Sequence, residues 1–92
     1  MKKVGILSSF ERSAKRLDSL EKEKLEKSLE QLNHFLVTGQ SSHGFRFKKI
    51  DGEIYEFRVD IRLRVIVKFE NGIYYLALLG NHDEIRRYLK DY

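Results

Sequence analysis

The sequence predicts an α+β domain: an N-terminal strand and a helical hairpin packed on an antiparallel β-meander, with a short C-terminal element. Three observations carry that prediction. Leucines recur at helical spacing in residues 25–36, and apolar and charged residues alternate at strand spacing in residues 54–69. The dipeptides Asp51-Gly52 and Asn71-Gly72 separate apolar runs as hairpin turns do. At 92 residues the chain forms one domain, 1–92, with a single core. Chains of ~60–150 residues bury only roughly 60–70% of the surface they expose when unfolded, so stability is modest.

Each element has a local reason. Residues 4–7 are a short apolar run suited to an edge or central strand. Ser8 and Glu11 stand at the N-cap and N3 spacing of a capping box, and Phe10, Ala14 and Leu17 follow on one helical face. Asp18 and Glu21 repeat the capping pattern and open a longer second helix. Leu25, Leu29, Leu32 and Leu36, with Phe35 beside them, make its apolar stripe, while pairs such as Glu23 and Lys27 fill the other face. The stripe is too short for a coiled coil. Thr38-Gly39 ends the helix.

Residues 40–44 are polar and read as a loop. Phe45, Phe47 and Ile50 then alternate with Arg46 and Lys48, a strand with one basic face. In the next strand Tyr55, Phe57, Val59 and Ile61 take one face, and Glu56, Arg58 and Asp60 the other. Leu63, Val65, Val67 and Phe69 alternate with Arg64, Ile66 and Lys68. Residues 73–79 are nearly all apolar, as in a strand buried on both faces. Gly80-Asn81-His82-Asp83 breaks that strand as a polar tip, and residues 84–89 form a last helical turn or a tail strand.

Composition narrows the function classes. The chain has no cysteine, which removes disulfide frameworks and thiolate metal sites and fits a reducing compartment. Residues 4–7 are too short for a signal segment, and no run approaches the ~18 apolar residues of a membrane span. The expectation is a cytoplasmic protein with no membrane partner. Net charge is +4, from 18 Lys+Arg against 14 Asp+Glu, which favours nucleic acid or an acidic protein as partner. Residues 11–30 balance both signs, whereas Arg46, Lys48, Lys49, Arg58, Arg62, Arg64 and Lys68 outnumber the acids of residues 43–68. The basic excess leans toward the sheet.

Strand parity places Glu56, Arg58, Arg64 and Lys68 together on the face away from the helical hairpin. Such a face is an ordinary solvated exterior of an antiparallel sheet. It is also arginine-rich, with guanidinium forks suited to phosphate, and its strands lead to the tip that holds His82. His34 and His43 have no partner pattern and read as surface residues. The sequence contains no HExxH, P-loop or GxGxxG, so neither a metal nor a small-molecule cofactor is expected.

The order of these strings resembles the RelE/ParE superfamily of toxins from bacterial toxin–antitoxin pairs. The residues that carry the resemblance are Phe47-Lys48-Lys49-Ile50-Asp51-Gly52, Ile54-Tyr55-Glu56-Phe57-Arg58, Leu63-Arg64-Val65-Ile66-Val67 and Leu79-Gly80-Asn81-His82-Asp83-Glu84. It is similar to the RelE-like branch in particular and covers nearly the whole chain. The resemblance implies the microbial RNase fold of that branch, a cognate antitoxin as partner, and action on mRNA at the ribosome. It implies attack by a ribose 2′-OH on the adjacent phosphate without a metal. Arg64 and Arg58 would then stabilise the phosphate, His82 would serve as acid or base, and Tyr88 matches a tyrosine some relatives carry in the tail. Glu56 stands where one branch has lysine; other branches use a glutamate as general base, which would assign Glu56 that role. From the residues alone Glu56 is equally a cross-strand ion-pair partner of Arg58 or Arg64. Leu63 replaces the tyrosine usual before the strand arginine. Arg46, Lys48, Lys49, Arg62 and Lys68 are the expected RNA-contacting cations. The same superfamily leaves two other functions open: a ParE-like DNA gyrase inhibitor, and an RNA-binding relative without nuclease activity.

Overall fold

The computed structural model describes residues 3–41 and 44–91. Its elements are β1 (Lys3–Ile6), α1 (Ser8–Lys15), α2 (Ser19–Thr38), β2 (Lys48–Asp51), β3 (Ile54–Arg58), β4 (Arg64–Glu70), β5 (Ile73–Gly80) and α3 (His82–Lys90). The strands form one sheet in the order β1-β5-β4-β3-β2. β2 to β5 are the expected antiparallel meander, and β1 adds parallel to β5 at the edge.

Parity divides the sheet as the alternation predicts. Phe57, Val65, Val67, Leu76 and Leu79 face Phe10, Leu25, Leu32 and Leu36 of α1 and α2. Each fully buried side chain of this size contributes roughly 1.5–3 kcal/mol. Asp18 forms the expected capping box, accepting from the Glu21 N–H at 2.8 Å while the Glu21 carboxylate accepts from the Asp18 N–H at 3.0 Å. Gly39 closes α2 in the left-handed region, with φ of 77°.

The capping box expected at Ser8 does not form. α1 already begins at Ser8, and Leu7 at its N-cap makes no side-chain cap bond. The helix serines serve β5 instead. The β4–β5 register passes from Ile66 opposite Leu78 to Val67 opposite Leu76, so Ala77 is an extra, bulged residue. The Ser9 hydroxyl donates to the Ala77 carbonyl, and the Leu79 N–H donates to the buried Ser13 hydroxyl at 3.2 Å. Because of the bulge, Leu76 and Leu79 both reach the helical core while Ala77 joins the opposite face.

Two strand boundaries also differ from the sequence reading. β2 starts at Lys48 and pairs Asp51 with Ile54, so its turn is Gly52-Glu53, with an irregularity between Lys49 and Asp51. β3 stops at Arg58, and Ile61 is 83% exposed in a turn instead of lying in the core. Asp60 makes that turn: its Oδ1 accepts from the N–H groups of Arg62 at 2.8 Å and Leu63 at 2.7 Å, and its Oδ2 lies 3.4 Å from Lys24 Nζ. Burial pulls the Asp60 pKa upward, but the two backbone bonds and Lys24 outweigh it and hold the carboxyl below the ordinary aspartate value. A depressed carboxylate stabilises the fold above its unfolded pKa and loses that contribution as pH falls through the folded value. Asp60→Asn is therefore expected to be less stable than wild type near neutrality, with the gap closing below about pH 4. Urea titrations at several pH values check this; a gap that widens on acidification contradicts it.

Candidate active site

The face away from α1 and α2 is only half polar. Ile54, Ile66 and Ala77 are buried there under Ile85 of α3. α3 thus covers the apolar half of the face and leaves a groove beside the charged half. The groove is lined by Lys48, Lys49 and Ile50 of β2, Glu56 of β3, Arg64 of β4, and His82, Ile85, Arg86 and Leu89 of α3. Its volume of about 520 Å³ falls within the ~300–1,000 Å³ typical of ligand sites.

Glu56 is the pivot. The ladder sets Lys48 directly opposite Glu56, and Arg64 lies one same-face step along β4. Glu56 Oε2 is 3.3 Å from Lys48 Nζ and 3.2 Å from Arg64 Nη1. The glutamate is only 6% exposed. A carboxylate this deep requires counter-charges, and the two cations supply them. The structure therefore makes Glu56 the ion-pair partner of Arg64 and Lys48, not of Arg58.

His82 does not lie in a loop. It is the first residue of α3, whose N-cap Asn81 accepts from the Glu84 N–H at 2.9 Å while Glu84 Oε1 accepts from the Asn81 N–H at 3.0 Å. The Asn81-x-x-Glu84 spacing is a capping-box signature in the sequence, so the expected polar tip Gly80-Asn81-His82-Asp83 opens a helix instead. Helical spacing then brings Arg86 alongside His82, with Nη2 at 2.9 Å from the ring Nε2. Arg86 is the groove residue that sequence reasoning missed, and a helix starting at position 82 is the signal that would have found it.

Gly80 sets the approach of α3 to the sheet. A Cβ at this position would lie 2.9 Å from the Glu84 Cβ. Gly80→Ala must therefore push the first turn of α3 away, disturbing the cap and carrying His82 with it. The expected result is loss of about 1–3 kcal/mol of stability, together with shifted resonances for His82 and Arg86. An unshifted His82 in the variant contradicts this.

The remaining expected site residues lie elsewhere. Arg58 is directly opposite Arg64 in the register, yet it lines a separate depression with Lys24, Lys27 and Gln31 of α2. Its buried Nε has no hydrogen-bond partner among the described residues. Tyr88 is half-buried on another side of α3, with Lys68 Nζ 5.5 Å from its ring centroid, and neither lines the groove. Arg62 is exposed in the β3–β4 turn, in a shallow depression that also includes Arg64 and His82. Arg46 is exposed ahead of β2 at a positive φ of 54° and is not a groove residue. His34 is exposed on α2, and His43 lies outside the described residues. Among the described residues no group of three or more His, Asp or Glu side chains converges as a metal site. No described helix is long and apolar enough to cross a membrane.

The fold is shared with solved structures whose sequences differ widely from this one. No protein-family model and no curated protein sequence matches the chain, but solved structures match its shape. The metal-bound toxin from Helicobacter pylori superposes with a TM-score of 0.68 at 18% identity, over 92% of this chain and 99% of its own. A chain of the E. coli DinJ–YafQ complex gives 0.67 at 12% identity, covering 92% of this chain and 98% of that one. A chain of the RelB–RelE antitoxin–toxin complex from Methanococcus jannaschii gives 0.66 at 11%, covering 91% and 96%. The chain has the fold of the RelE-like toxins across nearly its whole length.

Proposed function

We propose that this protein is the toxin of a toxin–antitoxin pair and cuts mRNA on the ribosome. The observation that carries the reading is the meeting of Arg64, Glu56, Lys48 and His82 in one groove of a toxin-like fold. In the proposed reaction the ribose 2′-oxygen bonds to phosphorus and the P–O5′ bond breaks, leaving a cyclic phosphate and a free 5′-OH. Glu56 accepts the 2′-OH proton, and His82 delivers one to the departing 5′-oxygen. Arg64 and Lys48 face the charge that builds on the phosphate oxygens. An incoming phosphate competes with Glu56 for these two cations, so substrate entry itself loosens the carboxylate for proton transfer.

The partner in this reading is an antitoxin that covers the groove with an acidic segment; two of the three structures compared above are complexes, that of RelB–RelE named as antitoxin–toxin. The seat of action is the cytoplasm. Contacts of Lys and Arg with RNA phosphates make binding fall steeply with salt. Inducing the protein in cells, with translation and DNA supercoiling followed separately, tests the reading. Arrest of translation with normal supercoiling is expected. Altered supercoiling with translation unaffected at early times turns the assignment to a gyrase inhibitor.

A further inference from the structure

We infer that Arg86 is a positioning residue: it fixes the His82 imidazole as the tautomer that carries its proton on Nδ1. The catalytic use of that tautomer rests on the cleavage reading above, but the tautomer itself does not.

The inference follows from donor and acceptor chemistry. A guanidinium has only N–H donors and stays protonated in proteins. Arg86 Nη2 lies 2.9 Å from His82 Nε2, so Nε2 must present a lone pair. In a neutral imidazole the single proton is then on Nδ1. The spacing that makes this contact is built into the fold. The Asn81–Glu84 capping box fixes where α3 begins, and buried Ile85 anchors the helix to the sheet between the two residues. Among the described residues no carboxylate pairs with Arg86 in its place; Glu56 is committed to Lys48 and Arg64. The charged groups facing the pair are Lys48, Lys49, Glu56 and Arg64 across the groove, with Arg62 and Asp83 on the outer flank. In the cleavage reaction Nδ1 is the ring atom left to face the 5′-oxygen; the ring delivers a proton from it only as the imidazolium, formed when Nε2 takes up a proton and Arg86 gives up that contact.

The test is nitrogen-resolved NMR of the full-length chain at about pH 9, where histidine rings are neutral; His82→Asn identifies the His82 signals. The expected wild-type spectrum has His82 protonated on Nδ1 and bare on Nε2. Arg86→Met should return the ring toward the Nε2–H form that free histidine favours, whereas Arg86→Lys, which keeps a donor, should retain part of the Nδ1–H population. Equal urea midpoints for wild type and Arg86→Met show that the fold is unchanged. A wild-type His82 that is mainly Nε2–H, or a tautomer unaffected by Arg86→Met, overturns the inference. On programmed ribosomes Arg86→Met is expected to lower kcat about tenfold with little change in KM, less than the ~10²–10⁴-fold loss of an entire general acid. If the wild-type protein cleaves nothing, the cleavage reading fails while the NMR result still decides the role of Arg86.

Discussion

Arg64→Ala is expected to reduce mRNA cleavage on programmed ribosomes by about 10³-fold or more, the scale seen when a guanidinium facing a reacting phosphate is removed. Arg64 is well placed for that effect. Its side chain is 23% exposed, it lines the groove where β4 begins, and its guanidinium touches Glu56. The substitution removes the guanidinium proposed to face the phosphate and leaves Glu56 with Lys48 alone. Two controls separate these consequences. Arg64→Lys restores a charge but not the planar fork, so it should recover only a small part of the rate. Glu56→Gln removes the need for a counter-charge, so it should cost little stability while still impairing cleavage. Single-turnover cleavage with a folded Arg64→Ala protein at the wild-type rate would remove Arg64 from the mechanism.

The largest stability effect is expected at Phe57. The residue is fully buried on β3, and its ring lies 5.0 Å from that of Phe45. Phe57→Ala is expected to cost about 3–5 kcal/mol, a large share of the total for a domain this size. At roughly 4–8 °C per kcal/mol, the thermal midpoint should drop by more than about 10 °C. Ile61→Ala is the matched contrast. It has the same odd parity but sits 83% exposed in the turn, so its effect should stay within about 0.5 kcal/mol. Urea melts of the two variants measure this, and comparable losses at both positions would contradict the assigned core.

These two residues show what the sequence made legible. Alternation placed Phe57, Val65 and Val67 under the helices and Glu56 and Arg64 opposite them, because a strand offers only two faces. The same rule carried Ile61 into the core in error, since period-2 counting does not register that Asp60 accepts two backbone N–H groups and turns the chain. The even face carries Ile54 and Ile66 among its charges, and alternation alone gives no reason for their burial. Their burial became apparent only with α3, whose Ile85 covers them. The bulge at Ala77 left no signature in an apolar run, where every residue looks equally fit for burial.

The candidate site followed the same pattern. Glu56, Arg64, Lys48, Lys49 and His82 meet in the groove because they are linked by ladder register and by the β5–α3 corner. Arg58, Tyr88, Lys68 and Arg46 stand away from it. For Tyr88 the reason is helical geometry: its side of α3 faces Lys68, while His82 and Arg86 share the groove side. Sequence spacing without a fixed helix start could not make that distinction.

The cleavage reading is tested most directly with the purified full-length protein and ribosomes programmed with a defined mRNA, by mapping the RNA ends. The expected products are a fragment ending in a cyclic phosphate and one beginning with a 5′-OH, formed by wild type and not by Arg64→Ala. Intact mRNA with wild-type protein that binds the same ribosomes would contradict the reading and leave an RNA-binding protein without nuclease activity.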